Sequence, residues 1–373
     1  MQSNGVVSPC PRALSPSLVR PETPPKKRLR RGSIEASLGV EPAAQPLVFL
    51  HRPSLPAGKK YVIDLFCGIG GFSCGAEAAG HTLLLAVDSD RRLLQSHADN
   101  HPDCHHLLMT LGPEVEDALV AQIQTLVPHG QPWHLHGSPP CVKVSAIQHA
   151  TLYRNHQGRT HDGNIEEGME LVNWYLRLVV RLRPASWSFE NVVVPEVSGA
   201  LRMLRTLYPS LVDFKKRVNF SHYGLGQHRT RCIAGSPGLV KRMLADETLR
   251  AEPPVMRDVL TIPAGAGLVK NPIGKTPEHQ HTVAHDDGTY SNDTVYNSCY
   301  RTFDQVAPCC LAGNPLVWAQ ADYITIRTFS PPEQAAVQSF PSDYVLPPVA
   351  TVAYRGLGNA VPPLFAQKLM SVA

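Results

Sequence analysis

The sequence contains no run of about 18 consecutive apolar residues, the length a membrane-crossing helix needs, so no membrane partner is expected. Its N-terminus lacks the apolar core of a secretory signal. It has no Cys-x-x-Cys pair. The nine cysteines are scattered and odd in number, which argues against a disulfide framework and suits a reducing compartment. Cys104 beside His105 and His106, and the adjacent Cys309 and Cys310, each fall short of the roughly four ligands of a structural zinc site, so no metal is expected. No internal repeat is visible. A strong charge excess is also lacking: net charge is +4 and the pI about 8.5, which permits a polyanionic partner without demonstrating one. What is present, 373 residues with 43% hydrophobic and 18% charged, suits a soluble protein of one large domain and a smaller one.

The first 56 residues differ from the rest. They hold ten prolines and the basic run Lys26-Lys27-Arg28-Leu29-Arg30-Arg31. Such a segment buries too little apolar surface to offset its ordering entropy, so residues 1–57 are expected to be a disordered tail. Its basic run is either a nuclear localisation signal, a nonspecific nucleic-acid contact or a solvated linker. Folded character starts near Lys59. Tyr61–Cys67 and Thr82–Val87 are apolar runs of buried parallel strands, each followed by a helical pattern, Phe72–Ala79 and Arg91–Asn100. This alternation predicts an α/β sheet. Further strands are expected at Trp133–His136, Trp187–Phe189 and Arg231–Ala234, and helices across Ile165–Leu182 and Pro363–Val372. From 237 to 323, glycine, proline and polar residues are frequent and helical periodicity is weak, which suggests a separate irregular domain; α/β character returns after Ile326.

Four segments could carry chemistry. Asp64-Leu-Phe-Cys-Gly-Ile-Gly-Gly71 places Gly68, Gly70 and Gly71 after a strand, where backbone can approach a ligand and a helix N-terminus opens toward it. The spacing is not that of the dinucleotide fingerprint, and the alternative is a tight structural turn. Asp88, ending the next strand, stands where acids bind ribose hydroxyls. Gly137-Ser-Pro-Pro-Cys141 holds a thiol on a stiff turn at a strand's end, a place suited to a nucleophile, against the commoner fate of a buried inert cysteine. Glu190-Asn191-Val192 sets a carboxylate at another strand end, a proton donor or a salt-bridge partner. On a strand, Gln227, Arg229 and Arg231 would share one face, suited to carboxylate, phosphate or a base edge, or simply exposed.

Together these segments resemble the cytosine-carbon-5 DNA methyltransferases. Asp64–Gly71 is similar to their first cofactor motif, Pro139-Pro140-Cys141 to the catalytic motif, Glu190-Asn191-Val192 to the ENV motif, and Gln227-His-Arg-Thr-Arg231 to the QxRxR motif. Arg327–Glu333 with Gln338–Pro341 resembles the ninth motif and Gly358–Pro363 the tenth. The six occur in family order from about residue 60 onward.

The resemblance implies a Rossmann-like S-adenosylmethionine-dependent methyltransferase sheet. The catalytic and cofactor-binding domain would span 58–236, a target-recognition domain 237–323, and the return to the catalytic domain 324–373. It implies a cofactor site of Asp64, Phe66, Gly68, Gly70, Gly71, Asp88 and Asn359, with Phe66 against the adenine and Asp88 on the ribose. Cys141, Glu190, Arg229 and Arg231 would be catalytic; Pro140, Ser145, Asn191 and Gln227 would line the substrate site. The segment 142–164 would be a loop closing over substrate, and the base would be flipped from its duplex. Departures are Val142, Lys143 and Val144 after the cysteine, His134 where an Asp is usual, and no acid in the third motif, Leu108–Gly112. They place the chain on a divergent branch. The expected partner is DNA, bound by a monomer in a nucleus, or in the cytoplasm of a bacterium. One alternative is RNA, since a tRNA-modifying branch also shows Ser-Pro-Pro-Cys. The other is a non-catalytic DNA-binding regulator.

Overall fold

A computed structural model describes residues 48–51, 60–140, 163–270, 300–322 and 324–373, with the backbone alone at 48–51, 163–167 and 300; all lie in the unit Pro42–Ala373. Strands β1 (Val48–His51), β2 (Tyr61–Leu65), β3 (Thr82–Asp88), β4 (His105–Leu108), β5 (Trp133–Gly137), β6 (Ser186–Asn191), β7 (Asp213–Asn219) and β8 (Thr230–Gly235) form one sheet in the order β1-β4-β3-β2-β5-β6-β8-β7. β4 through β6 run parallel; β1 and β8 join antiparallel, and β7 pairs antiparallel with β8. The apolar runs that predict β2 and β3 are buried on both faces, as in a sheet covered by helices on both sides.

Apart from a register irregularity in β3 between Leu83 and Leu85, the period of two sorts strand residues between the faces. Ile63, Leu65, Leu85 and Leu135 pack against helices α3 (Glu116–Leu126), α4 (Gly163–Leu182) and α5 (Pro195–Leu207). Val62, Leu83, Ala86 and Ile233 pack under α1 (Gly71–Ala78), α6 (Leu239–Ala245) and α10 (Pro363–Ser371). The remaining helices are α2 (Arg91–Asn100), α7 (Met256–Val259), α8 (Pro331–Val337) and α9 (Ala350–Asn359). Helix α10 lies along α1, so the chain's end completes the layer over its first βα unit.

Three stretches differ from the sequence expectation. Residues 48–51, inside the Pro-rich tail, pair with β4 at the open sheet edge, Val48 opposite Leu108; an unpaired edge accepts a short extended segment. Helix α6 belongs to the large layer, with Leu239 and Met243 buried beneath it, so irregularity starts after it. The described residues beyond form a small antiparallel sheet, β10-β9-β11-β12 (Tyr300–Arg301, Leu268–Lys270, Val317–Ala319, Thr325–Thr328), over a core of Trp318, Phe329, Met256 and Val269. Its last strand extends beyond 323.

The strand order reverses at β2, with β3 on one side and β5 on the other. Ligands of open α/β sheets bind at such a switch point, outside the carboxyl ends of the strands. The carboxyl ends of β2, β3, β5 and β6 all open there: the Gly-rich turn follows β2, Asp88 ends β3, Pro139-Pro140 follows β5, and Glu190-Asn191 ends β6.

Candidate active site

After Leu65 the chain leaves the sheet through Phe66, whose φ of 61° is left-handed although it is not glycine. Gly68 and Gly70 follow at φ 55° and 94°, which glycine adopts without a Cβ penalty. The loop is pinned from the neighbouring strand: Gly68 N–H donates to Asp88 Oδ2 at 2.9 Å, and Asp90 N–H donates to Asp88 Oδ1 at 2.8 Å. Burial pushes the Asp88 carboxyl up, and these backbone donors oppose the shift. A Cβ on Gly68 would meet nothing within 4 Å, so the loop faces open space there. A Cβ on Gly71 would lie 2.2 Å from the Val361 carbonyl oxygen, so the C-terminal motif seats directly on the start of α1. Asn359 is exposed at the end of α9, beside this contact.

Asp64 does not face the opening. It is buried beneath α1, its Oδ2 accepting from Ser73 Oγ–H at 2.8 Å, while Oδ1 has no hydrogen-bond partner. Ser73 Oγ contacts His97 Nε2 at 3.0 Å, and His97 Nδ1 contacts His106 Nε2 at 2.9 Å. Burial raises the Asp64 carboxyl to about 7 and holds His97 well below its ordinary value, so the chain of contacts need carry no net charge. A second support escaped the sequence reasoning. Tyr344 O–H donates to the Ile69 carbonyl at 2.5 Å and contacts His101 Nε2 at 3.1 Å, and His101 Nδ1 meets Glu77 Oε2 at 2.6 Å. It joins residues more than 240 positions apart, which no local pattern announces.

At the catalytic end, Cys141 and Ser145 lie outside the described residues, as does the rest of 141–162. The turn leading to the cysteine is described. Pro139 is buried, Pro140 exposed, and Asn191 Nδ2–H donates to the Pro139 carbonyl at 2.9 Å while its Oδ1 accepts from Val192 N–H at 2.8 Å. Asn191 therefore ties the end of β6 to the Pro139-Pro140 turn. One residue earlier, Glu190 Oε1 lies 3.0 Å from Arg231 Nε. The contact is an ion pair rather than an aligned hydrogen bond, because Oε1 has no partner of good angle.

The residues Gln227, Arg229 and Arg231 do not share a strand face, because β8 begins only at Thr230. Gln227 and Arg229 precede it and point into the interior. Gln227 Oε1 accepts from Cys310 N–H at 2.8 Å. Arg229, 1% exposed, donates to the carbonyls of Gly358 at 3.1 Å, Ala360 at 3.0 Å and Cys310 at 3.3 Å. Its guanidinium is thus engaged by backbone, and only Arg231 reaches the acid. Phe66 is half-buried, edge-on to Trp174 at 6.0 Å between centroids.

Two of the departures fall in the sheet's interior or rim. His134 is buried, its ring nitrogens 2.8 Å from Ser186 Oγ and Ser188 Oγ, so the interior serine pair absorbs it. In the third motif Met109 is buried and Thr110 exposed, with Met109 N–H on the Asp88 carbonyl at 3.0 Å. Among the described residues no group of three or more His, Cys, Asp or Glu is placed to hold a metal.

A family model described as C-5 cytosine-specific DNA methylase matches residues 61–237 and 261–372. The chain belongs to this family. Among curated relatives, the type II methyltransferase M1.HphI of Haemophilus parahaemolyticus is 26% identical over 340 residues, covering 82% of this chain and 84% of that protein. M.XorII of Xanthomonas oryzae pv. oryzae is 29% identical over 181 residues, 46% of this chain, and the match spans only 39% of that protein's length. In fold, the chain resembles a candidate DNA modification methyltransferase encoded within a prophage (E. coli; TM-score 0.56, 20% identity, 84% of this chain and 97% of that one). It also resembles the Dnmt2 methyltransferase of S. pombe (TM-score 0.53, 14% identity, 84% and 97%). This DNA cytosine-5 methyltransferase thus keeps the α/β sheet of S-adenosylmethionine-dependent enzymes at low sequence identity to its relatives.

Proposed function

We propose that the chain methylates carbon 5 of cytosine in DNA through a covalent Cys141 adduct on a flipped base, with S-adenosylmethionine as methyl donor. The observation that carries this reading is the pairing of Glu190 with Arg231 at the carboxyl end of β6, beside a Pro139-Pro140 turn held by Asn191. The glycine loop fits a small anionic group: it opens to free space at Gly68 and leads into the N-terminus of α1. Phe66, Asp88 and Asn359 border that opening and would hold the adenosine part. When bound, S-adenosylmethionine supplies the electrophilic methyl group that carbon 5 accepts.

Unaided, carbon 5 is a poor nucleophile. The Cys141 thiolate adds its electron pair to carbon 6, and the ring's electron density moves toward carbon 5 and nitrogen 3. Glu190 supplies a proton or hydrogen bond at nitrogen 3, and Arg231 donates to the neighbouring ring carbonyl. After methylation a base such as water takes the carbon 5 proton, the carbon 5–carbon 6 double bond re-forms, and the thiolate leaves. Arg229 acts on this site through the backbone it holds, as a positioning residue. The reading extends to a monomer, addressed to a nucleus by the basic run at 26–31.

The test offers methyl-labelled S-adenosylmethionine with unmethylated duplex DNA, hemimethylated DNA and tRNA, beside a Cys141→Ala control. Label on DNA that vanishes with the substitution is expected. Label on tRNA alone would move the substrate to RNA, and no label with no cofactor binding would leave a non-catalytic protein.

A further inference from the structure

Edge strand β7 reads Asp-Phe-Lys-Lys-Arg-Val-Asn. Lys215, Lys216 and Arg217 are consecutive and exposed, and among the described residues none of them is in an ion pair. The pairing of β7 with β8 shifts register between Lys215, which stands opposite Ile233, and Val218, so Lys216 and Arg217 bulge from the ladder. Val218 rejoins the ladder opposite Arg231, the partner of Glu190. Only β8 separates β7 from β6, so the bulge lies two strand spacings, roughly 10 Å, from the strand that carries Glu190. Ile233 of β8 stands opposite both Glu190 of β6 and Lys215 of β7, so the cationic run starts level with Glu190. A fourth exposed cation, Arg205 of α5, lies 4.9 Å over the ring of Phe214, at the start of the strip.

Edge strands often carry lysines that discourage edge-to-edge pairing. Here the bulge at Lys216 and Arg217 already spoils the edge as a template, so three adjacent cations at and beside it, none in an ion pair among the described residues, are surplus to that need. Duplex DNA presents about one phosphate charge per 1.7 Å of axis, so a duplex seated over a flipped cytosine brings several phosphates within roughly 10–15 Å of it. We propose that Lys215, Lys216 and Arg217 form a phosphate-binding strip that holds the DNA backbone beside the flipped cytosine. The strip sets how the duplex lies across the site and carries no sequence information. This inference rests on the DNA-methyltransferase reading above.

The test compares the full chain with a Lys215→Ala/Lys216→Ala/Arg217→Ala variant on one duplex at a series of salt concentrations. Loss of two or three phosphate contacts makes the slope of log affinity against log salt shallower by roughly 0.9 each. Over a fourfold rise in salt the unsubstituted chain then loses roughly 10- to 40-fold more affinity than the variant. KM for DNA should rise at low salt while kcat and cofactor affinity stay level. The charge-conserving variant Lys215→Arg/Lys216→Arg/Arg217→Lys should restore the slope. An unchanged slope overturns the strip, and an unchanged slope with aggregation assigns these residues to edge protection. If the unsubstituted chain neither binds nor methylates DNA, the failure belongs to the underlying reading.

Discussion

Arg231 and Glu190 meet across β8 and β6 with Nε 3.0 Å from Oε1 and side chains only 14% and 8% exposed. A second nitrogen of Arg231, Nη1, donates to the Thr230 carbonyl at 2.9 Å, which fixes the guanidinium plane. An acid and a fixed donor side by side match the ring nitrogen and carbonyl of one cytosine edge. Glu190→Gln should therefore lower kcat by about 10²- to 10⁴-fold, the usual worth of a positioned acid, with DNA affinity little changed. Arg231→Ala should cost a similar factor, and the double variant should cost less than the product of the two. An additive double variant in single-turnover assays would show that the pair does not act as a unit.

Asn191 holds the Pro139-Pro140 turn, which leads to the proposed nucleophile, through a hydrogen bond to the Pro139 carbonyl. Asn191→Ala should lower kcat by about 10²-fold through misplacement of the thiol, since a shift of roughly 1 Å has that effect. Thermal stability should fall by about 2 kcal/mol, the net worth of the two hydrogen bonds the side chain makes with the Pro139 carbonyl and Val192 N–H. Measuring kcat and the melting curve on the same preparation separates the two effects; equal damage to both would contradict a positioning role.

Two glycines of the cofactor loop should respond differently. A Cβ on Gly70, at φ 94°, would lie 2.6 Å from the Tyr344 hydroxyl and 2.9 Å from His101 Nε2, so Gly70→Ala should destabilise the whole loop. Gly68→Ala meets no atom of the described residues within 4 Å. Its conformational cost is roughly 1–2 kcal/mol, while the methyl group intrudes on the space left for the cofactor. Calorimetry should find Gly68→Ala folded with weakened S-adenosylmethionine binding; undiminished binding would remove the loop from the cofactor site.

Arg229 should behave as a structural tie. Arg229→Met keeps much of the side-chain volume but strands three carbonyls, at Gly358, Ala360 and Cys310. The expected loss is roughly 3–5 kcal/mol, because each buried unsatisfied group costs about 1–3 kcal/mol. Urea denaturation reads it directly, and a variant as stable as the parent would return Arg229 to a role at the reacting atoms.

Asp64 gives a pH signature of unusual sign for a carboxylate. Its folded value, raised to about 7 by burial, exceeds the ordinary aspartate value of 3.8, so the fold keeps a proton that the unfolded chain releases. The stability this contributes is fully present below the unfolded value and is lost as pH rises to about 7, at up to about 1.4 kcal/mol per unit. Asp64→Asn should flatten that decline. His136 works oppositely: burial lowers it to about 3, so its contribution is present above the ordinary histidine value of 6.5 and is lost as pH falls toward 3. Urea midpoints of both chains across this range test the pair of signs.

Where hydrophobic periodicity was strong, the sequence located the elements: β3, α1, α2 and α10 fall within a residue of expectation, and β2 ends two residues earlier than its apolar run. It was silent on β4 and β7. The first is His-His-Leu-Leu, whose buried imidazole at His106 is satisfied by His97, and the second is a cationic edge strand; neither has an apolar signature. Candidate residues were legible because the reaction needs particular groups after particular strands, and a motif records both.

By itself, then, the sequence determined the α/β class, the order of the strand-end motifs and the family, because these depend on local pattern and residue type. Tertiary structure alone decided the division of labour among them. Arg229 and Arg231 are two residues apart, yet one is consumed by the carbonyls of the returning C-terminus and the other is left facing Glu190. Asp64 and Asp88 end adjacent strands, yet one is sealed beneath α1 while the other holds the glycine loop. Such assignments depend on which distant backbone fills the space around a side chain, and that is settled only when the chain's far ends pack together.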